Sequence, residues 1–138
     1  MGPSMLDFDE STVDKESDGV WQEYEGSEFR IAHMGNMGFQ REFARLQRPY
    51  KRDIAKDRLD PSTAQKIMCQ AMAKHVLLDW RNVKGKDGEV AYSTEKAYSL
   101  LNRNSSFRRF VVDFATELDN FRAEELEEVG KSPASISK

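Results

Sequence analysis

Cysteine is nearly absent from this chain. Cys69 is the single thiol in 138 residues, which excludes an internal disulfide framework and a cysteine-rich zinc site. Histidine is as scarce: His33 and His75 stand far apart, and no pair has metal-ligand spacing. No phosphate-cradling glycine-rich loop with its lysine is present. No apolar run approaches the ~20 residues that cross a bilayer, and the acidic N-terminus lacks the basic-then-apolar pattern of a secretory signal. These absences predict a protein without membrane partner, metal or cofactor, acting in the cytoplasm where it is made. The net charge of −3 and pI of about 5.5 argue against a general nucleic-acid binder.

Apolar residues are also missing from the two ends. Residues 1–19 hold almost no large apolar groups beyond Met5, Leu6, Phe8 and Val13, and residues 130–138 hold only Ile136. Neither end can bury enough apolar surface to offset the entropy of ordering it. The expected organisation is a flexible acidic tail over 1–19, one folded domain over 20–128 and a flexible tail over 129–138.

Within the domain, Val20-Trp21-Gln22-Glu23-Tyr24 and Phe29-Arg30-Ile31-Ala32-His33 alternate in character around Glu25-Gly26-Ser27-Glu28. Two aromatic and branched runs about a glycine turn predict a β-hairpin, which needs a partner to be stable in water. Gly35-Asn36-Met37-Gly38 ends it. Phe39, Phe43 and Leu46 then form a helical stripe over 37–47. Pro49 ends or kinks that helix, and residues 50–58 resume as a polar helix around Ile54. Asp60-Pro61 is an N-cap followed by proline at the first helical position, opening a helix over 61–80. Its second half is apolar on nearly every side, as in a central buried helix, and Cys69 and His75 in it read as core or edge residues.

Lys84–Gly88 is a loop by composition. Ser93 caps a short helix over 94–102, with Ala97, Leu100 and Leu101 facing inward. The last helix carries Phe107, Phe110, Val111, Phe114, Leu118 and Phe121 as one stripe continuing toward Leu126; this spacing predicts burial of Phe110 and Phe114. The fold class expected is mostly α: a compact bundle of four or five helices with an N-terminal β-hairpin and flexible tails.

No side chains point to catalysis. Asp53 and Asp57 lie one helical turn apart, as do Glu124 and Glu128, but carboxylates on a solvated helix face are common and nothing nearby would raise a pKa. Charge segregation says more. Residues 41–58 hold seven cations against three carboxylates, and residues 113–128 hold seven carboxylates against Arg122. The plainer reading is two helix faces attracting one another within the molecule. The sharper one is a partner-binding basic patch of Arg41, Arg45, Arg48, Lys51 and Arg52, meeting either an acidic protein helix or nucleic acid. The two segments also offer a head-to-tail contact between copies, so a homo-oligomer is expected. Few aromatics interleave the basic run, which disfavours base stacking.

Several segments resemble the tail assembly chaperones of long-tailed, siphovirus-type bacteriophages. Val20-Trp21-Gln22-Glu23-Tyr24, Phe29-Arg30-Ile31-Ala32, Phe39-Gln40-Arg41 and Leu46-Gln47-Arg48-Pro49 are similar to the first half of that family. Leu59-Asp60-Pro61, Met72-Ala73 and Val76-Leu77-Leu78-Asp79-Trp80 are similar to the middle. Asp87-Gly88, Tyr92-Ser93, Phe107-Arg108 and Leu118-Asp119-Asn120-Phe121-Arg122 are similar to the rest. The likeness spans about residues 20–125 in order. Met37-Gly38 departs from it, since a proline is expected before Phe39.

The resemblance implies a non-enzymatic role without cofactors: binding and solubilising the tape-measure protein and helping to recruit the tail tube protein, in the host bacterial cytoplasm and not in the mature virion. It also implies a longer product made by ribosomal frameshifting, for which the codons of Gly130-Lys131 are the candidate slippery site. The alternative function is a small nucleic-acid-binding regulator using residues 41–58; a small enzyme is a more distant one.

Overall fold

The computed structural model describes residues 17–121. Residues 1–16 of the tail expected over 1–19, the tail expected over 129–138 with its Gly130-Lys131 dipeptide, and the acid-rich stretch from Arg122 to Glu128 lie outside the described residues.

Strands β1 (Val20–Tyr24) and β2 (Ser27–Ile31) form the hairpin, with Val20 opposite Ile31 and Tyr24 opposite Ser27. The turn is two residues, not four. Glu25 and Gly26 have φ of 50° and 83°, and positive φ at both positions is the hairpin turn whose twist matches the strands. The second strand therefore starts earlier than alternation implied and ends at Ile31 rather than His33.

Helix α1 (Met37–Gln47) follows, then a 3-10 turn (Arg48–Tyr50) at Pro49 and a single-turn helix α2 (Lys51–Ala55). Helix α3 (Pro61–His75) starts as expected: Asp60 accepts a hydrogen bond from the Thr63 amide at 3.2 Å, and Pro61 sits in the first turn. It does not run to Trp80. The chain leaves the helix at Val76 (φ −123°, ψ −55°) and Leu77–Arg81 becomes strand β3, pairing antiparallel with β2. The sheet has three strands in the order β1-β2-β3. An apolar run of five or so residues suits a buried strand as well as a helix, and the free edge of β2 decided between them. A register shift between Arg30 and Ile31 lets Leu77 and Trp80 both turn inward.

Two short strands, β4 (Lys84–Gly85) and β5 (Gly88–Glu89), stand where a loop was expected. Helix α4 (Thr94–Arg103) begins at Ser93, whose hydroxyl accepts from the Lys96 amide at 3.1 Å. Helix α5 (Ser105–Thr116) is shorter than its stripe. The chain turns extended at Glu117, and a 3-10 turn (Leu118–Phe121) folds Phe121 back against Phe114 and His33. Phe121 is thus buried by a reversal rather than by a continuing helix.

The mostly α class with an N-terminal hairpin holds, with four helices of ten or more residues. The sheet lies against α5: Tyr24 stacks on Phe110 at 4.3 Å and Phe29 meets Phe107 at 4.8 Å. Ile31, Met72, Val76, Leu77, Leu101 and Val111 are fully enclosed between sheet and helices. Phe107, Val111 and Ala115 carry the fully buried line of α5, while Phe110 and Phe114, expected to be buried, are partly buried and packed against the core at its edge.

Candidate partner-binding surface

The basic segment begins where three elements are tied by one side chain. Asn36 caps α1 by accepting from the Phe39 amide at 2.9 Å, while its own amide donates to the carbonyls of His33 (2.6 Å) and His75 (3.0 Å). Gly38 is needed beside it: a Cβ there would meet His75 Nδ1 at 2.6 Å. This explains the glycine where a proline was expected. The His75 ring occupies the space, and α1 enters at the angle that contact sets. His33 also serves the loop, its Nδ1 accepting from the Gly35 amide at 3.0 Å.

From that anchor α1 runs for 11 residues along α3, with Phe39, Phe43 and Leu46 packed on the core and its other face open. Arg41 and Arg45 lie on α1, Arg48 opens the 3-10 turn, and Lys51 and Arg52 lie on α2; all five are exposed. Arg41, Arg45, Arg48 and Arg52 are spaced by four, three and four residues, which aligns them along one face of a helical path. Arg45 is the best tethered. Its guanidinium donates to Glu42 at 2.6 Å, and Lys74 of α3 approaches the same oxygen at 3.4 Å. The Arg45 hydrogen bond chiefly, with Lys74, holds the Glu42 carboxyl below its ordinary range. Arg58 pairs loosely with Asp53 at 3.9 Å. Among the described residues no ion pair joins this segment to Asp113, Glu117 or Asp119, so its charge is balanced locally or turned to solvent.

Beside the cations lies a groove of about 340 Å³ lined by Ala44, Gln47, Arg48, Lys51 and Ile54. Ile54 and Tyr50 are 38% and 36% exposed, which is unusual for residues of that size in this molecule. An apolar strip flanked by cations is therefore open on the arm. In the sequence only Ile54 hinted at it, as a lone apolar group in a polar helix; the strip itself is assembled from α1, the 3-10 turn at Pro49 and α2.

The remaining reactive groups are structural. Cys69 is fully enclosed, and burial pushes its thiol up, only partly opposed by the charge of Arg108. Tyr92 donates to the Leu77 carbonyl at 2.7 Å, pinning the segment before α4 to the joint between α3 and β3, and its burial raises its hydroxyl. Among the described residues no cluster of His, Cys, Asp or Glu could hold a metal ion, and no helix is long and apolar enough to cross a membrane.

A protein-family model described as YdaY prophage protein matches residues 34–132, a span that opens just before the Asn36 anchor and takes in the arm and all four long helices. The chain belongs to the YdaY prophage protein family, and so is phage-derived. No curated protein and no solved structure matches it.

Proposed function

We propose that this chain is a non-enzymatic tail assembly chaperone of a long-tailed phage. In this reading it acts in the host bacterial cytoplasm as a homo-oligomer, binds and solubilises the tape-measure protein, helps to recruit the tail tube protein, and leaves before the virion is complete. The observation that carries it is the exposed arm: Arg41, Arg45, Arg48, Lys51 and Arg52 beside the open Ala44–Ile54 strip. Apolar groups with a cationic flank suit an amphipathic, acid-bearing helix, which offers its apolar face to the strip and its carboxylates to the rim. A tape-measure protein, long and helical with apolar faces, presents such helices in series. Phage origin and the resemblance across residues 20–125 support the same reading.

Co-expression with the tape-measure and tail tube proteins encoded beside it, followed by pull-down, tests the proposal. Wild-type protein should retain the tape-measure protein, and Arg48→Glu/Arg52→Glu should lose it without loss of fold. Failure of the wild type to retain it removes the proposal. The exposed Tyr50 amid cations favours one second reading, a nucleic-acid-binding regulator. Duplex DNA binding that weakens steeply with salt, through the same arginines, would establish that reading instead.

A further inference from the structure

A second basic groove lies away from the arm, between the β4–β5 hairpin and α4. It has a volume of about 630 Å³. Its floor is apolar: Trp80, held by its Nε1 donating to the Val90 carbonyl at 2.8 Å, with Val83, Val90 and Leu100 half-buried around it. Its rim carries Lys84, Lys96 and Arg103, all exposed, and its lining has no carboxylate. Glu89 faces Lys84 across the hairpin but does not line the groove. The cations come from β4 and from two turns of α4, so the groove is assembled only by folding.

The described chain stops at the opposite end of the molecule. The Ala115 carbonyl accepts from the Met34 amide at 2.9 Å, and Phe121 rests on His33 and Phe114, beside the Asn36 anchor. The groove instead includes Arg103, Asn104 and Ser105, at the start of α5. Next after Phe121 comes Arg122-Ala123-Glu124-Glu125-Leu126-Glu127-Glu128-Val129, four glutamates around two apolar residues three apart.

We propose that the Trp80–Leu100 groove binds residues 123–129 of a second copy of this chain. Leu126 and Val129 supply the apolar groups for its floor, and the glutamates meet Lys84, Lys96 and Arg103. The basic face that the acidic segment meets is this groove rather than residues 41–58. Phe114 and Ser105 are separated by about 14 Å of helix, and the described chain ends at the Phe114 end of α5, away from the groove. Because the groove and the point where the described chain ends at Phe121 lie at opposite ends, such a contact is head-to-tail and each copy leaves one of each free, which builds a ring or a spiral. The inference does not rest on the chaperone reading.

Sedimentation of the full chain over a concentration series at low salt tests it. Wild type should associate with rising concentration and less so at high salt. Lys96→Glu/Arg103→Glu, and separately Glu124→Lys/Glu125→Lys/Glu127→Lys/Glu128→Lys, should each weaken association by at least about tenfold. An equimolar mixture of the two should recover it, since each supplies the charge the other lacks. A labelled peptide of residues 122–130 should dissociate wild-type assemblies and keep the test open if either variant fails to fold. A monomeric wild type, association indifferent to both reversals, or no recovery on mixing overturns the proposal. So does a groove variant that still self-associates but no longer retains the tape-measure protein, since the occupant is then the client. The arm variant Arg48→Glu/Arg52→Glu should self-associate normally, which keeps this test separate from that of the chaperone reading.

Discussion

Asn36 is the one buried polar side chain among the described residues, and its amide is fully used. Loss of an N-cap alone costs about 0.5–2 kcal/mol. Asn36→Ala also strands two carbonyls at the hairpin exit and the end of α3, so a total of about 2–4 kcal/mol is expected. Asn36→Ser keeps the cap acceptor but not both donations, and should fall between. Equal denaturant midpoints for the Asn36→Ser variant and the wild type would show that the donated bonds contribute nothing.

Glu42 gives a pH signature at the same scale. Its carboxyl is held low in the folded state, chiefly by the hydrogen bond from Arg45. A depressed acid stabilises the fold above its unfolded value, about 4.3 for glutamate, and that contribution fades as pH falls through the lower folded value. Thermal melts of wild type and Glu42→Gln should therefore differ at pH 7 and converge below about pH 4. A gap that persists undiminished into acid would mean that packing, not charge, is what the substitution removes.

At the scale of elements, α5 shows how a stripe and a buried face differ. Six apolar residues follow helical spacing from Phe107 to Phe121, yet only Phe107, Val111 and Ala115 sit fully against the sheet and α4 within the helix. Phe107→Ala should destabilise by about 3–5 kcal/mol, as for a fully buried aromatic. Phe114→Ala should cost only roughly 1–2 kcal/mol, because part of its ring is already in water. Chemical denaturation of the two variants reads the difference directly; equal losses would place Phe114 in the core after all. The same element shows why its end is hard to place from spacing. Helical periodicity carries on through Leu118 and Phe121, but Glu117 turns extended and the 3-10 reversal still delivers Phe121 to the interior. Position in a stripe and position in a helix are separable, since only the first is written in spacing.

For the whole molecule, the important feature is that, among the described residues, no ion pair joins the basic segment to Asp113, Glu117 or Asp119. Its described ion pairs are local ones, to Glu42 and Asp53, and the arm's outer face stays charged. Exposed substitutions of this kind change stability by about 0.5 kcal/mol or less. Arg48→Glu/Arg52→Glu should therefore melt with wild type while losing its partner. A large drop in melting temperature would make these arginines part of the fold instead.

Local chemistry determined much of this protein without help from distance. The caps at Asp60 and Ser93, the stop at Pro49, the positive-φ turn at Gly26 and the helical stripes are each set by residues within one or two turns, where sterics and short hydrogen bonds decide. The charge segregation of residues 41–58 was likewise visible, and all five singled-out cations are exposed on the arm. What only the tertiary structure decided are the outcomes of competition between remote segments. Val76–Trp80 could be helix or strand, and became strand because β2, far earlier in the chain, offered an unpaired edge. Gly38 could be a flexible error in a helix start, and is a fit to His75. The Ala44–Ile54 strip, and the groove in which Val83, Val90 and Leu100 stay half-buried around the buried Trp80, are assembled from separate elements, and no count of residue types records which apolar groups packing will leave partly uncovered.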